Sequence, residues 1–114
     1  MQVMRKVIKV ATDFFDAPAG RFPEDGDYHG QRFRSEHLLP ALEDGGEVLI
    51  DLDDAEGYGS SFLEEAFGGL VRLCGYTAAE LHERLFLKSD EDESVLQEIW
   101  EYIDTAKPEK EKKN

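Results

Sequence analysis

The chain has 114 residues, 40% of them hydrophobic and 11% aromatic, which suits a single globular domain with an apolar core. Its 26 acidic residues outnumber its 13 basic ones and give a net charge of −13. The excess is concentrated between residues 36 and 104, where 19 acidic residues face three basic ones. Such a surface repels nucleic-acid phosphate and anionic lipid. We therefore expect no direct binding to nucleic acid or membrane, and we expect partners with basic protein surfaces.

A single cysteine and the absence of long apolar segments indicate where the protein resides. Cys74 excludes an internal disulfide, and we interpret it as a buried small apolar residue. No segment comes near the roughly 18 continuous apolar residues of a membrane span, and no signal-peptide pattern opens the chain. We expect a cytoplasmic protein with one domain over residues 1–107 and a charged tail over residues 108–114.

The first half of the chain predicts a strand, a long loop and a helix. Residues 3–10, VMRKVIKV, favour a strand. Residues 11–35 are rich in glycine, proline and aspartate, which is typical of turns and leaves room for a hairpin around residues 23–26. Apolar residues from Phe33 to Leu42 then predict a helix over about 31–43, and Pro40 inside it is expected to kink or restart that helix.

The second half predicts two more strands and three helical segments. Residues 47–52, EVLIDL, form a nearly continuous apolar run of the kind found in a central strand covered on both faces. An apolar stripe at helical spacing follows from Leu63 to Cys74. Thr77 is expected to cap a short helical turn, residues 84–89 to form a strand, and residues 90–103 to form an amphipathic helix. This order predicts an α/β fold, with helices packed on a small mixed sheet.

Three segments of the sequence resemble a known family. They are Gly20-Arg21, Phe33-Arg34 and residues 59–68, GSSFLEEAFG. They are similar to the STAS-like domain family of unknown function found in bacteria and phages, over about residues 7–103. The succession of central strand, short turn, serine pair and amphipathic helix also resembles the STAS domains of bacterial anti-sigma-factor antagonists. In those antagonists an aspartate usually stands where this chain has Gly59, and a glycine where it has Phe62.

Ser60 and Ser61 have two interpretations. In the first interpretation, one of the two serines caps the following helix, and Glu64 completes a capping box. Alternatively, as the resemblance implies, one of them is phosphorylated by a partner kinase, because free N–H groups at a helix start accommodate a phosphate. The acidic residues that surround the pair in sequence would repel that phosphate and make it a release switch. They are Asp51, Asp53, Asp54, Glu56, Glu64 and Glu65.

The remaining charged residues have structural interpretations beside the functional ones. Asp51, Asp53, Asp54 and Glu56 form an acidic edge after the central strand, for which a solvated edge is favoured over a Mg²⁺ or Ca²⁺ site. Arg21 and Arg34 are either salt-bridge partners for the acidic residues or contacts for an anion or a partner's acid. The three histidines show no metal-ligand spacing, and no nucleophile has an evident base. We expect no metal, no cofactor and no catalysis.

These features predict a non-catalytic regulatory domain that resembles an anti-sigma-factor antagonist and docks on a kinase-like or regulatory protein. The expected contact surface is the turn and helix between Tyr58 and Phe67, and its candidate residues are Tyr58, Ser60, Ser61, Phe62, Glu64 and Glu65. The alternative is an acidic inhibitor of the phage type that imitates nucleic acid and blocks a DNA-binding protein. That alternative needs rows of carboxylates on one continuous face.

Overall fold

The computed structural model describes residues 5–109, which form three strands and five helices. The strands are β1 (Arg5–Lys9), β2 (Glu47–Asp51) and β3 (Leu85–Lys88), and the helices are α1 (Val10–Asp13), α2 (residues 30–43), α3 (residues 60–72), α4 (Ala78–Arg84) and α5 (Glu93–Thr105). The long loop between α1 and α2 holds a single 3₁₀ turn, Pro23–Asp25, in place of the hairpin that its composition allows. None of the helices in residues 5–109 has both the length and the apolar character needed to cross a bilayer.

The sheet has the order β1-β2-β3, with the predicted central strand in the middle. The α/β prediction with helices packed on a sheet is confirmed, but both strand pairings in the described part of the chain are parallel. The expectation of a mixed sheet was therefore wrong in this respect. β1 and β2 are each followed by helical segments that return the chain to the same end of the sheet, and such crossovers produce parallel neighbours.

The hydrophobic core lies on one face of the sheet. Ile8, Val48, Ile50 and Leu85 point into it, and each is at most 7% exposed. The helices cover this face with fully buried side chains, among them Phe33, Phe62, Leu63, Phe67, Leu70, Ile99 and Ile103. The opposite face is open, since Leu49 in the central strand is only partly buried. The prediction that β2 is covered on both faces was therefore wrong.

Helices α2 and α3 cross closely at the centre of the helical layer. Each contains a π-helical segment, Arg34–Leu38 in α2 and Glu64–Gly68 in α3, and these segments pack against each other. The backbone of α2 stays helical at Leu38 and Leu39, and its hydrogen bonding changes from the π to the α pattern at Leu39, directly before Pro40. Gly30 makes the crossing possible, since a Cβ atom there would lie 2.7 Å from the carbonyl oxygen of Phe62.

Candidate functional site

The serine turn, defined here as residues 53–61, follows the carboxyl end of β2 and leads into α3. Gly59 occupies the N-cap position of α3, so Ser60 and Ser61 are the first two residues inside the helix. Both serines are exposed, and no side chain forms a cap hydrogen bond at this helix start. The predicted serine cap was therefore wrong. A capping side chain must come from the extended residue just outside the helix, and here that residue is a glycine.

The loop before α2 holds the serine turn in place through backbone contacts. The N–H of Glu56 donates to the carbonyl of Asp16 at 2.7 Å, and the N–H of Gly59 donates to the carbonyl of Pro18 at 3.2 Å. The hydroxyl of Tyr58 donates to the carbonyl of Leu52 at 2.8 Å. Burial, followed by the nearby carboxylate of Asp51, raises the pKa of the Tyr58 hydroxyl above its ordinary value. The turn is thus held by the loop before α2 and by the end of β2, and the Tyr58 hydroxyl already has a hydrogen-bond partner within the protein.

Within the predicted acidic edge, Asp53 is a buried anchor rather than a solvated residue, with 7% of its surface exposed. Its carboxylate accepts from Nζ of Lys88 at 2.7 Å and from the backbone N–H groups of Asp90 and Glu91 at 2.9 and 3.0 Å. The bond from Lys88, reinforced by the two backbone donors, lowers the pKa of Asp53 to about 2. Asp53 therefore ties the serine turn to the loop between β3 and α5.

The other members of the acidic edge differ in exposure. Asp51 is half-buried between Lys9 and Lys88, at 3.5 and 4.0 Å, whereas Asp54 is exposed and lies 2.8 Å from Nζ of Lys9. Glu56 is exposed at the tip of the turn. Over residues 5–109, no group of three or more His, Cys, Asp or Glu side chains is arranged to hold a metal ion. The aspartates instead pair with the lysines that end β1 and β3.

A cleft of about 330 Å³ separates the serine turn from the start of α5. Its lining consists of Leu52, Ala55, Glu56, Gly57, Tyr58, Ser89, Glu91, Asp92, Ser94, Val95 and Glu98. Four of these side chains are carboxylates, so the cleft is acidic. Glu98 also accepts from the Tyr102 hydroxyl at 2.6 Å, and that hydroxyl has the side chain of Ser60 as a neighbour. Sequence reasoning missed α5 as part of the site, because nothing local to residues 91–102 distinguishes it from an ordinary amphipathic helix.

Glu64 and Glu65 belong to an ion-pair network inside the protein. Nη1 of Arg34 donates to Oε2 of Glu65 at 3.0 Å and also to the backbone carbonyl of Glu65. Glu64 accepts from Arg21 at 2.5 Å and from Arg72 at 2.7 Å. Burial raises the pKa of Glu64, but the bonds from Arg72 and Arg21 outweigh it, so the pKa of this carboxyl lies below its usual value. The salt-bridge interpretation of Arg21 and Arg34 is confirmed.

This network removes several predicted residues from the accessible surface. Arg34 and Glu65 are 5% and 3% exposed, and Phe62 is fully buried against Phe33 at a ring distance of 5.6 Å. Each is therefore a structural residue of the helix crossing rather than a partner contact, and the accessible part of the predicted surface is centred on Ser60 and Ser61. Because Glu64 and Glu65 are paired with arginines, they do not contribute to the continuous carboxylate face that a nucleic-acid mimic needs. The interpretation of this chain as such a mimic stays a prediction.

The three motifs of the resemblance come together at this helix crossing. The carbonyl of Gly20 accepts from Gly30 N–H at 2.9 Å, which places Arg21 beside Glu64. Arg34 follows Phe33 on α2 and meets Glu65 on α3. Gly69, one residue beyond the third motif, leaves room for the Arg34 guanidinium, with which a Cβ atom at that position would collide.

The fold and this crossing define an α/β domain of the STAS-like type. A comparison with protein families matches residues 29–95, more than half of the chain, to the STAS-like domain of unknown function (DUF4325). The chain belongs to this family, as its motifs predicted. Searches of curated proteins and of solved structures gave no match.

Proposed function

We propose that this protein is a non-catalytic regulatory domain that binds a basic protein through the serine turn and the acidic cleft beside it. The observation that carries the proposal is the state of Ser60 and Ser61. Both hydroxyls are exposed at the start of α3, and neither is used to cap that helix. The serines are therefore accessible to another protein, at the position that STAS-domain antagonists use in the resemblance described above.

The charge around the serines supports a basic partner. Glu56 is exposed at the tip of the turn, and Glu91 and Asp92 are exposed on the opposite wall of the cleft. Lysine and arginine side chains would enter this cleft with favourable electrostatics, which mainly increase the association rate and the specificity of binding. A kinase-like or other regulatory protein with a basic docking surface is the partner that this chemistry fits.

The surroundings of the serines also support regulation by phosphorylation. A phosphate carries about −1.5 to −2 charges at neutral pH. On Ser60 it would be close to the Tyr102 hydroxyl and to Glu98, which accepts from that hydroxyl. The free N–H groups at the start of α3 would attract the phosphate, whereas the carboxylates of the cleft would repel it. Modification would therefore rearrange the rim of the docking surface and release the partner.

Catalysis is not part of this proposal. Over residues 5–109, no hydrogen bond joins either serine to a histidine, and the Nδ1 atom of His29 faces the carbonyl of Gly26 at 2.9 Å. A serine nucleophile requires a base within hydrogen-bond distance, so an exposed serine without one is better suited to recognition.

The proposal is tested by a binding titration with a partner isolated from the native host. Glu56→Lys reverses an exposed charge at the tip of the turn and should weaken binding at least about tenfold, which corresponds to roughly 1.4 kcal/mol. Ser60→Asp, which adds charge at the rim, should weaken binding more than Ser60→Ala. Glu83→Lys is the matched control, because Glu83 is exposed on α4 at the opposite end of the sheet.

The comparison between these variants decides the outcome. If Glu83→Lys weakens binding as much as Glu56→Lys, the effect is one of overall charge and the docking surface is not the serine turn. If Ser60→Asp and Ser60→Ala bind like the parent while Glu56→Lys does not, the surface is correct but the serine is no switch.

A further inference from the structure

The acidic cleft between the serine turn and α5 holds carboxylates that have no basic partner in the described chain. The cleft has a volume of about 330 Å³, and the carboxylates that line it belong to Glu56, Glu91, Asp92 and Glu98. Over residues 5–109, none of these side chains forms a salt bridge. By contrast, the aspartates at the end of β2 pair with Lys9 and Lys88. The cleft therefore carries negative charge that the described chain does not compensate.

Neutral groups hold these carboxylates in position without cancelling their charge. Oε1 of Glu91 accepts from the backbone N–H of Asp54 at 3.0 Å, and Oε2 of Glu98 accepts from the Tyr102 hydroxyl at 2.6 Å. Charge complementarity favours a cation in such a cleft. Within residues 5–109, no three of the acidic side chains are arranged to hold a metal ion. The cation that fits is therefore an extended organic group rather than a single ion.

The remaining lining of the cleft distinguishes between organic cations. Leu52, Ala55 and Val95 are apolar, and the Tyr58 hydroxyl is already bonded to the carbonyl of Leu52. The cleft therefore offers apolar contacts between its carboxylates. An arginine side chain matches this combination, since its alkyl part packs on apolar surface and its guanidinium stacks on aromatic rings and donates to several carboxylates. A lysine ammonium is compact and more strongly hydrated, and it matches the lining less well.

Ser89 adds a buried polar group to the same cleft. Ser89 lines the cleft and is 7% exposed, and its hydroxyl accepts from the N–H of Asp92 at 3.1 Å. A hydroxyl can also donate, and among residues 5–109 no group accepts the proton of Ser89. The cleft thus offers a hydrogen-bond donor to its ligand as well as negative charge. An arginine within a polypeptide supplies both complements, a guanidinium and a backbone carbonyl, whereas a simple polyamine has no acceptor.

We infer that the acidic cleft binds one arginine side chain of the basic partner protein. The guanidinium lies between the carboxylates of the serine turn and those of α5, the alkyl part packs on the apolar lining, and the backbone carbonyl of the arginine accepts from Ser89. This inference rests on the proposed function, because it names the residue by which the partner is anchored at that docking surface.

The test uses the whole protein and three short peptides in which glycines flank a central arginine, lysine or citrulline. Citrulline has nearly the shape of arginine but no charge. In an NMR titration the arginine peptide should shift the amide signals of Ala55, Gly57 and Ser89. The lysine peptide should bind at least about twofold more weakly, and the citrulline peptide at least about tenfold more weakly. Putrescine and Mg²⁺, added separately, should each bind more weakly than the arginine peptide.

Two double variants with the same net charge test the position of the site. Glu91→Gln with Glu98→Gln removes two charges from the cleft and keeps an acceptor oxygen at each position, and it should weaken binding of the arginine peptide at least about threefold. The matched control is Glu93→Gln with Glu101→Gln, because both glutamates are exposed on α5 and neither lines the cleft. This control should bind the arginine peptide like the parent.

Equal binding of the arginine and citrulline peptides, binding of lysine, putrescine or Mg²⁺ as tight as that of arginine, or equal losses in the two double variants would each overturn the inference. The two proposals can fail separately. If the arginine peptide does not bind while Glu56→Lys still weakens binding of the native partner, the docking surface is correct and the arginine site is wrong. If the arginine peptide binds as expected while the native partner is insensitive to Glu56→Lys, the arginine site is correct and the proposed function is wrong.

Discussion

Ser60 and Ser61 begin α3 without capping it, whereas Thr77 caps α4. The Thr77 hydroxyl accepts from the N–H of Glu80 at 3.0 Å, and the Glu80 side chain accepts from the N–H of Thr77 at 2.9 Å. Removing a side-chain cap costs about 1 kcal/mol, whereas an exposed substitution without such a role stays within about 0.5 kcal/mol. The two kinds of helix start can therefore be separated by measurement.

We expect Thr77→Ala to lower the free energy of unfolding by about 1 kcal/mol, and we expect Ser60→Ala and Ser61→Ala each to change it by less than about 0.5 kcal/mol. Urea unfolding of the three variants measures this directly. A loss for Ser61→Ala as large as that for Thr77→Ala would show that a serine does cap α3.

Asp53 makes stability depend on pH in the acidic range. The pKa of Asp53 is about 2 in the folded protein, below the roughly 3.9 of an unfolded aspartate. The folded state therefore binds fewer protons, so the contribution of Asp53 is fully present above about pH 4 and is lost as the pH falls toward 2. Asp53→Asn should lower the melting temperature at pH 7 and should flatten its decrease between pH 4 and pH 2.

Asp27→Asn provides the control for this pH profile, because Asp27 is exposed in the loop before α2 and, among residues 5–109, only its backbone carbonyl is hydrogen-bonded, to Arg32. That variant should keep the melting profile of the parent. If the melting temperature of Asp53→Asn falls between pH 4 and pH 2 as steeply as that of the parent, the contacts from Lys88 and the two backbone N–H groups do not control acid stability.

At the scale of elements, the Arg34–Glu65 pair joins α2 to α3 at their π segments. Removing one partner of a buried ion pair leaves the other charge uncompensated and costs about 3 to 5 kcal/mol. Arg21 and Arg72 also lie within 3.5 Å of Glu65 and reduce that cost. We expect Arg34→Met to destabilise the protein by about 3 kcal/mol, toward the lower end of that range.

Arg32→Met is the comparison for this prediction, since Arg32 forms an exposed pair with Glu36 on the same helix. An exposed pair contributes at most about 1 kcal/mol, so this variant should remain close to the parent in urea unfolding. The double variant Arg34→Met with Glu65→Leu should be more stable than Arg34→Met alone. If Arg34→Met and Arg32→Met lower the free energy of unfolding equally, the buried ion-pair network does not stabilise the fold as proposed.

The approach of α2 to α3 depends on the missing side chain of Gly30. A Cβ atom there would lie 2.7 Å from the carbonyl oxygen of Phe62 and 2.8 Å from Cβ of Glu65. Overpacking of this kind costs about 1 to 3 kcal/mol, and we expect Gly30→Ala to show such a loss in thermal unfolding. Gly57→Ala has nothing within 4 Å of the added atom and should be neutral. A neutral Gly30→Ala would mean that the helices cross further apart.

At the scale of the whole molecule, the net charge of −13 governs long-range interactions. At about 0.01 M salt the Debye length is roughly 30 Å, so attraction or repulsion between the protein and a polyanion is least screened. We expect no mobility shift of duplex DNA or RNA under these conditions, because most of the surface repels phosphate. Tight binding at low salt that disappears at higher salt would contradict this prediction.

The order of the elements, apart from the short helix α1, and the family were available from the sequence because they depend on local patterns. The period of apolar residues identified β2, α3 and α5, and the Thr77 cap needs only residues 77–80. The serine cap failed at the same local level, since the pattern leaves the helix start uncertain by one or two residues. Moving the start from after Ser61 to after Gly59 changes both serines from capping groups to exposed helical residues.

The chain's local pattern thus determined its α/β class, the order of its strands and of the helices other than α1, and its acidic character. Helix α1 lies where the pattern predicts turns. The tertiary structure alone decided which charges are buried together and which apolar residues are left exposed. Arg34 meets Glu65 across 31 positions of the chain, and Asp53 meets Lys88 across 35. Val7 and Ile8 are adjacent and equally apolar, yet one lies on the open face and the other in the core. Burial is a property of what packs against a residue in space, and no period in the sequence states on which face of the sheet the helices will lie.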